Sequence, residues 1–206
     1  MAAEIAILLA LLALWAVVLR DAWRAWQPAR LLLAGRYADA RAAAVRLERS
    51  WLGIAFRKIR TSARYAVGCA LHLEGDLEAS LEALAPLHAE RLRGNMRYAV
   101  CSIEAANLVL LDRDHARASA LLEEAGRILR PAEDILLAAL AKLGQGLTAE
   151  AEALFVAAGT ERARVRFRRM MGSVLLLEDQ RQQEAIFHAL RGIYLLKVGR
   201  SAEAQR

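Results

Sequence analysis

The longest uninterrupted apolar run lies at the start of the chain, where Ile5 to Leu19 reads IAILLALLALWAVVL. With Ala2, Ala3 and the terminal-turn Glu4 it reaches eighteen residues, which as a helix span roughly 27 Å, just short of the ~30 Å hydrocarbon core of a bilayer. A globular core or surface helix keeps a polar stripe for solvent, and this run has none. Arg20 can snorkel outward at its end, and Trp15, Trp23 and Trp26 supply rings of the kind enriched at membrane interfaces. The pattern predicts a transmembrane anchor over 1–20 and a Trp- and Arg-rich juxtamembrane stretch over 21–30, with Arg20, Trp23, Arg24 and Trp26 at the membrane interface. A cleaved leader and a buried helix stand beside this reading. Against the leader, Glu4 and no Lys or Arg precede the run. Arg20, Arg24, Arg30 and Arg36 follow it, so the positive-inside bias puts the N-terminus outside and the remainder in the cytoplasm. Ala6 and Ala10 form a small-xxx-small pair that would allow a homo-oligomer.

Beyond residue 30 the pattern changes to amphipathic helices. Leu77, Leu81, Leu84 and Leu87 trace one stripe at spacings of three and four, while Ala66–Leu73 and Val100–Leu111 are nearly continuous in apolar residues. With 57% hydrophobic and 25% charged residues and only three prolines in 206, the chain can bury a core and favours helix over strand. The fold class is all-α. One phrase recurs in which a helix ends, a polar turn follows, and a new helix opens with a small residue. It reads GRYADA from Gly35, GDLEAS from Gly75, RDHARA from Arg113, GLTAEA from Gly146 and QRQQEA from Gln180. The small residues fall at 40, 80, 118, 151 and 185, at intervals of 40, 38, 33 and 34. A competing phase for the last unit uses Gly192, Gly199 and Ala204.

At these turns the chain resembles the tetratricopeptide repeat family, whose units are antiparallel helix pairs with a 34-residue period. Gly68, Ala125, Pro131, Phe155 and Ala158 agree with further family positions, whereas the tryptophan and tyrosine of the family's first helix are mostly missing. The resemblance implies a tetratricopeptide-like α-solenoid of about five helix pairs over 31–206, capped by a final helix from Ala185 to Val198. Membrane-anchored bacterial members look similar in joining an N-terminal anchor and following arginines to cytoplasmic repeats. The C-terminal metal-binding cysteine pairs that some of them carry are absent here, so only the architecture carries over. Family practice places partner contacts on the first helix of each pair, here Tyr65, Cys69 and His72, then Ile103, Asn107 and Leu110, then Leu136 and Leu140, then Met170 and Val174. Such a groove would be mostly apolar and suit a hydrophobic or amphipathic segment of a protein partner. The same residues could equally be core. The resemblance thus implies a non-enzymatic scaffold or adaptor at a membrane, the bacterial inner membrane in this reading. A structural accessory subunit of a membrane complex and an envelope-side repeat protein are the alternatives.

Chemistry adds little. No phosphate loop, dinucleotide fingerprint, HExxH, GxSxG or paired CxxC occurs, and no cofactor or metal is expected. His72, His88, His115 and His188 lie far apart, and Cys69 with Cys101 makes neither a disulfide framework nor a zinc pattern. The net charge of +6 favours anionic surfaces, the lipid bilayer among them, and a helical surface that uses arginine where others use lysine accounts for it equally simply. Arg57, Lys58, Arg60 and Arg64 form one basic cluster that could meet anionic lipid. In Arg162, Arg164, Arg166, Arg168 and Arg169 the alternation spreads charge around a helix rather than along one face, which disfavours nucleic acid.

Overall fold

The computed structural model describes residues 2–170, 177–200 and 203, and for residues 2–14, 18, 19, 22, 163–170 and 177–183 the backbone alone. Every element among them is helical. The chain divides into two compact units, residues 1–91 and 92–206. The first holds α1 (Ala2–Leu33), α2 (Tyr37–Arg49), the short α3 (Trp51–Ala55), α4 (Arg57–Glu74) and α5 (Leu77–Leu84), with a 3-10 turn over Ala85–Ala89. The second holds α6 (Gly94–Leu110), α7 (His115–Gly126), α8 (Ala132–Gly144), α9 (Thr148–Met170) and α10 (Leu177–Lys197).

Four of the five recurring phrases are the turns of helix pairs, α1 with α2, α4 with α5, α6 with α7 and α8 with α9. Each closes with the same cap. An amide two or three residues past the first helix reaches back five positions, Arg36 to Leu31 at 2.9 Å, Asp76 to Leu71 at 3.0 Å, Arg113 to Leu108 at 2.9 Å and Leu147 to Lys142 at 3.0 Å. The residue before it sits in the left-handed region, Gly35, Gly75 and Gly146 at φ 70°, 85° and 78°, and Asp112 at φ 55°. This double-bonded cap favours glycine because a Cβ strains the left-handed conformation, and Asp is among the few substitutes that tolerate it. Ala40, Ser80, Ala118 and Ala151, the small residues of these four phrases, are fully buried where the pairs touch.

The fifth phrase does not turn. Gln180 to Ala185 lies inside α10, and Ala185 is exposed. QRQQEA contains no glycine and only good helix formers, so nothing there ends the helix. The cap comes instead at Gly199, φ 76°, with Arg200 bonded back to Leu195 at 2.8 Å. Gly199 of the competing phase is thus a cap, Ala204 lies outside the described residues, and among the described residues four helix pairs are followed by α10. α10 packs on α8, with Phe187, Leu190, Tyr194 and Leu195 buried.

The expected juxtamembrane stretch lies within α1. α1 continues through residues 21–30 and through the buried Pro28 to Leu33, giving up one backbone hydrogen bond where proline has no N–H. Among the described residues no helix is long and apolar enough to cross a membrane. The side chains of most of the Ile5–Leu19 run lie outside the described residues.

Within the first unit the helices alternate in direction. Gln27, Arg24 and Asp21 of α1 share a cavity of about 440 Å³ with Ala43, Arg46, Leu47 and Ser50, so α2 runs back along α1 to the level of Asp21. Arg64 to Glu48 at 2.6 Å and Arg41 to Glu74 at 3.4 Å set α4 antiparallel to α2. One end of the unit therefore carries the Gly35 and Gly75 turns. The other carries Asp21, α3 and the start of α4.

Candidate partner-binding site

In the second unit a groove of about 600 Å³ opens across α7, α8 and α9. Leu122 and Ile135, both buried, floor it, and Ala138, Ala153 and Leu154 add apolar wall. Lys142 and Glu150 pair at 3.0 Å across the α8–α9 side. Glu123, Arg127 and Arg130 stand exposed on its α7 side without an ion-pair partner among the described residues. Cationic side chains left unpaired over an apolar floor can recognise an amphipathic segment that carries acidic residues.

Asp134 of α8 reaches into the same wall. It is buried, accepts a hydrogen bond from the Ser102 hydroxyl at 2.8 Å through Oδ1, and leaves its buried Oδ2 without a hydrogen-bond partner. Burial raises its carboxyl above the usual aspartate range, against the lowering effect of the Ser102 and Tyr98 hydroxyls. On α6 Glu104 is also buried and is held by Arg117, and Arg97 grips Glu124 at 2.5 Å and 3.0 Å, which ties α6 to α7.

This groove is not the one expected from the sequence. Leu136 and Leu140 are fully buried in the core of the second unit, where α8 is packed by α6, α7, α9 and α10, and Asn107 is fully buried on α6. Cys69 is buried too, while Tyr65, His72 and Ile103 are half-buried and Leu110 is exposed. Met170 ends α9 with its side chain outside the described residues, and Val174 lies outside them altogether. Tyr65, Cys69 and His72 belong to the first unit and the others to the second. Leu136 and Leu140 lie on the faces of α8 that its neighbours cover, while Asp134, Ile135 and Ala138 lie on the face that lines the open groove. The open groove is also more charged than the apolar surface foreseen. Ser119, which lines it, is fixed by Gln145 at 2.9 Å, and no local sequence signal marks such a contact between residues 26 apart.

Neither thiol is primed for nucleophilic or metal chemistry. Burial pushes Cys69 and Cys101 each up to about 11. Among the described residues no three His, Cys, Asp or Glu side chains converge as a metal site. Arg162 lies 4.0 Å over the Phe187 ring and 3.6 Å from Glu184, so it braces α9 against α10.

The expected interface residues lie on α1, in the first unit. Trp23 and Trp26 are exposed, with the Arg30 guanidinium 4.1 Å over the Trp23 ring. Arg20 and Arg24 flank the buried Asp21 at 3.5 Å and 3.9 Å. At the same level, α3 exposes Trp51 and Ile54, and Phe56 follows it, its ring 6.2 Å from that of Trp51. Leu52 of α3 turns inward to Leu47, Ala63, Ala25 and Ile59. Of the basic cluster, Arg64 is committed to Glu48 and Glu90, Arg57 leans on Glu90 at 3.7 Å while largely exposed, and Lys58 is exposed. No family model, curated protein or solved structure matches the chain.

Proposed function

We propose that this chain is a non-enzymatic scaffold, held to a membrane by its first helix, whose tetratricopeptide-like helix pairs recruit or help assemble a protein partner there. The observation that carries this reading is the groove across α7, α8 and α9, with its apolar floor and with Arg127 and Arg130 unpaired among the described residues. The partner would offer an amphipathic segment whose apolar side fills the floor and whose acidic residues meet those arginines. The uninterrupted apolar run of Ile5–Leu19 and the arginines after it support an anchor with the N-terminus outside and both units on the cytoplasmic side of a bacterial inner membrane.

A photoreactive residue at Ala138, in cells carrying the full chain, tests the groove. A discrete partner adduct should form there, should be absent from the exposed Gly159 position, and should disappear when Arg127 and Arg130 are replaced by Glu. Adducts indifferent to those charges, or equal at Gly159, would overturn the adaptor reading. Co-purification of one protein at fixed stoichiometry after detergent extraction would favour an accessory subunit instead. A reporter fused after Arg206 that works only outside the cytoplasm would overturn the topology.

A further inference from the structure

The short helix α3 and the residues beside it break two local rules at once. Trp51, Ile54 and Phe56 are 57%, 72% and 50% exposed in a row of six residues, although Leu52 between them is buried. Directly after them, α4 opens on Arg57 and Lys58 with no acidic residue in its first turn. Cations at a helix N-terminus oppose the helix dipole; Arg57 has Glu90 at 3.7 Å to offset this, whereas Lys58 has no ion pair among the described residues. Exposed aromatic and aliphatic side chains rimmed by such cations fit an apolar layer under anionic head groups.

Position along the fold points the same way. Trp51 lines the same cavity as Asp21 and Arg24 of α1, and Arg20 closes the apolar run. Four residues of helix separate Arg20 from Arg24, about 6 Å along the axis. An α1 that crosses a bilayer up to Arg20 sets Trp51 at the depth of the head groups. The antiparallel α2 and α4 bring Arg49, Arg57 and Lys58 to the same end. We infer that α3 is a second membrane contact, seated in the interfacial layer of an anionic bilayer, which fixes the first unit against the membrane rather than leaving it free on a single tether. The depth of Trp51 rests on the anchor proposed above, whereas the exposure of α3 and the charges on α4 do not.

Depth-dependent quenching separates the two. The full chain carries only four tryptophans, all in the first unit, so variants that retain Trp15 alone or Trp51 alone, the others changed to Phe, report on the anchor and on α3 independently. Each is reconstituted in phosphatidylcholine vesicles with and without phosphatidylglycerol, with bromine high or low on the acyl chain. Trp51 should be quenched by bromine near the head groups when phosphatidylglycerol is present, and this quenching should be lost in the Arg57→Gln, Lys58→Gln double variant. Ile54→Asp, at an exposed position that leaves the fold intact, should lower Trp51 quenching and leave Trp15 unchanged. If Trp15 is quenched and Trp51 is not, the inference fails while the anchor stands. Quenching of Trp51 without Trp15 upholds α3 and overturns the anchor. Trp51 quenching that ignores the lipid charge and the Arg57 and Lys58 substitutions overturns the inference, and so does its appearance only when a protein partner is added.

Discussion

The two units share one construction and use their aromatic residues in opposite ways. Both are built of antiparallel helix pairs closed by the same left-handed cap, with a fully buried small residue at each crossing. In the second unit aromatic area is turned inward. Tyr194 is fully buried, stacks on Phe155 at 4.4 Å and gives its hydroxyl to Glu152 at 3.0 Å, and Phe187 is buried beside Arg162. In the first unit Trp15, Trp23, Trp26 and Trp51 are all more than half exposed. Apolar area is the main favourable term in folding, and side chains left out of the core are available to something else. Pairing and capping thus need mostly small residues and leucines, which leaves the large rings for other contacts: core in one unit, an external surface in the other.

The largest effect should come from the core of the second unit. Leu136→Ala or Leu140→Ala should cost about 2–5 kcal/mol in urea unfolding, as buried leucines do. A cost near zero would return these residues to an open groove wall. Ile54→Ala in the first unit should stay within about 0.5 kcal/mol, because the side chain is exposed.

Next comes the close approach of α4 and α5. A Cβ on Gly68 would run into Leu84, whose side chain is fully buried, and the carbonyl of Gly68 accepts the buried Ser80 hydroxyl at 2.8 Å. Gly68→Ala should destabilise by about 1–3 kcal/mol. In α9, Gly159 has open space around it, and Gly159→Ala should stabilise by about 0.5–1 kcal/mol. Equal signs in the two denaturation curves would refute the packing described for α4 and α5. The caps should show a smaller effect, with Gly75→Ala at φ 85° costing about 1 kcal/mol through left-handed strain.

The smallest effect concerns Asp134. Its carboxyl is raised in the folded chain, so the folded chain binds that proton more tightly than the unfolded one does. Its contribution to stability is greatest below the ordinary aspartate value and fades as pH rises through the raised one. Asparagine does not titrate, so comparing Asp134→Asn with the parent from acid to neutral pH should show the difference moving in favour of the variant. A flat difference would mean that Asp134 is as well solvated as in the unfolded chain.

Much of the architecture is legible in the residues because each turn advertises itself locally. A glycine or aspartate in the left-handed position and a small residue five or six positions on are both visible in the sequence itself. A small residue alone, as in QRQQEA, does not make a turn, because no residue there is able to cap a helix. The groove is not legible in the same way. The contacts that shape it, Ser102 with Asp134 and Gln145 with Ser119, join positions 32 and 26 apart, and which face of α8 stays open depends on where α9 and α10 pack. The exposure of α3 is hidden for a simpler reason. A five-residue apolar helix reads the same whether it faces a core or a surface.

The most direct test of a membrane-held scaffold is alkaline carbonate extraction of the full chain from its native membranes, beside a variant with Leu9→Arg and Leu12→Arg. An arginine at the centre of a spanning helix costs about 2.5–3.5 kcal/mol. The parent chain should stay in the membrane pellet, and the double variant should move to the supernatant with its thermal unfolding otherwise unchanged. Release of the parent chain by carbonate would contradict a first helix that spans the bilayer.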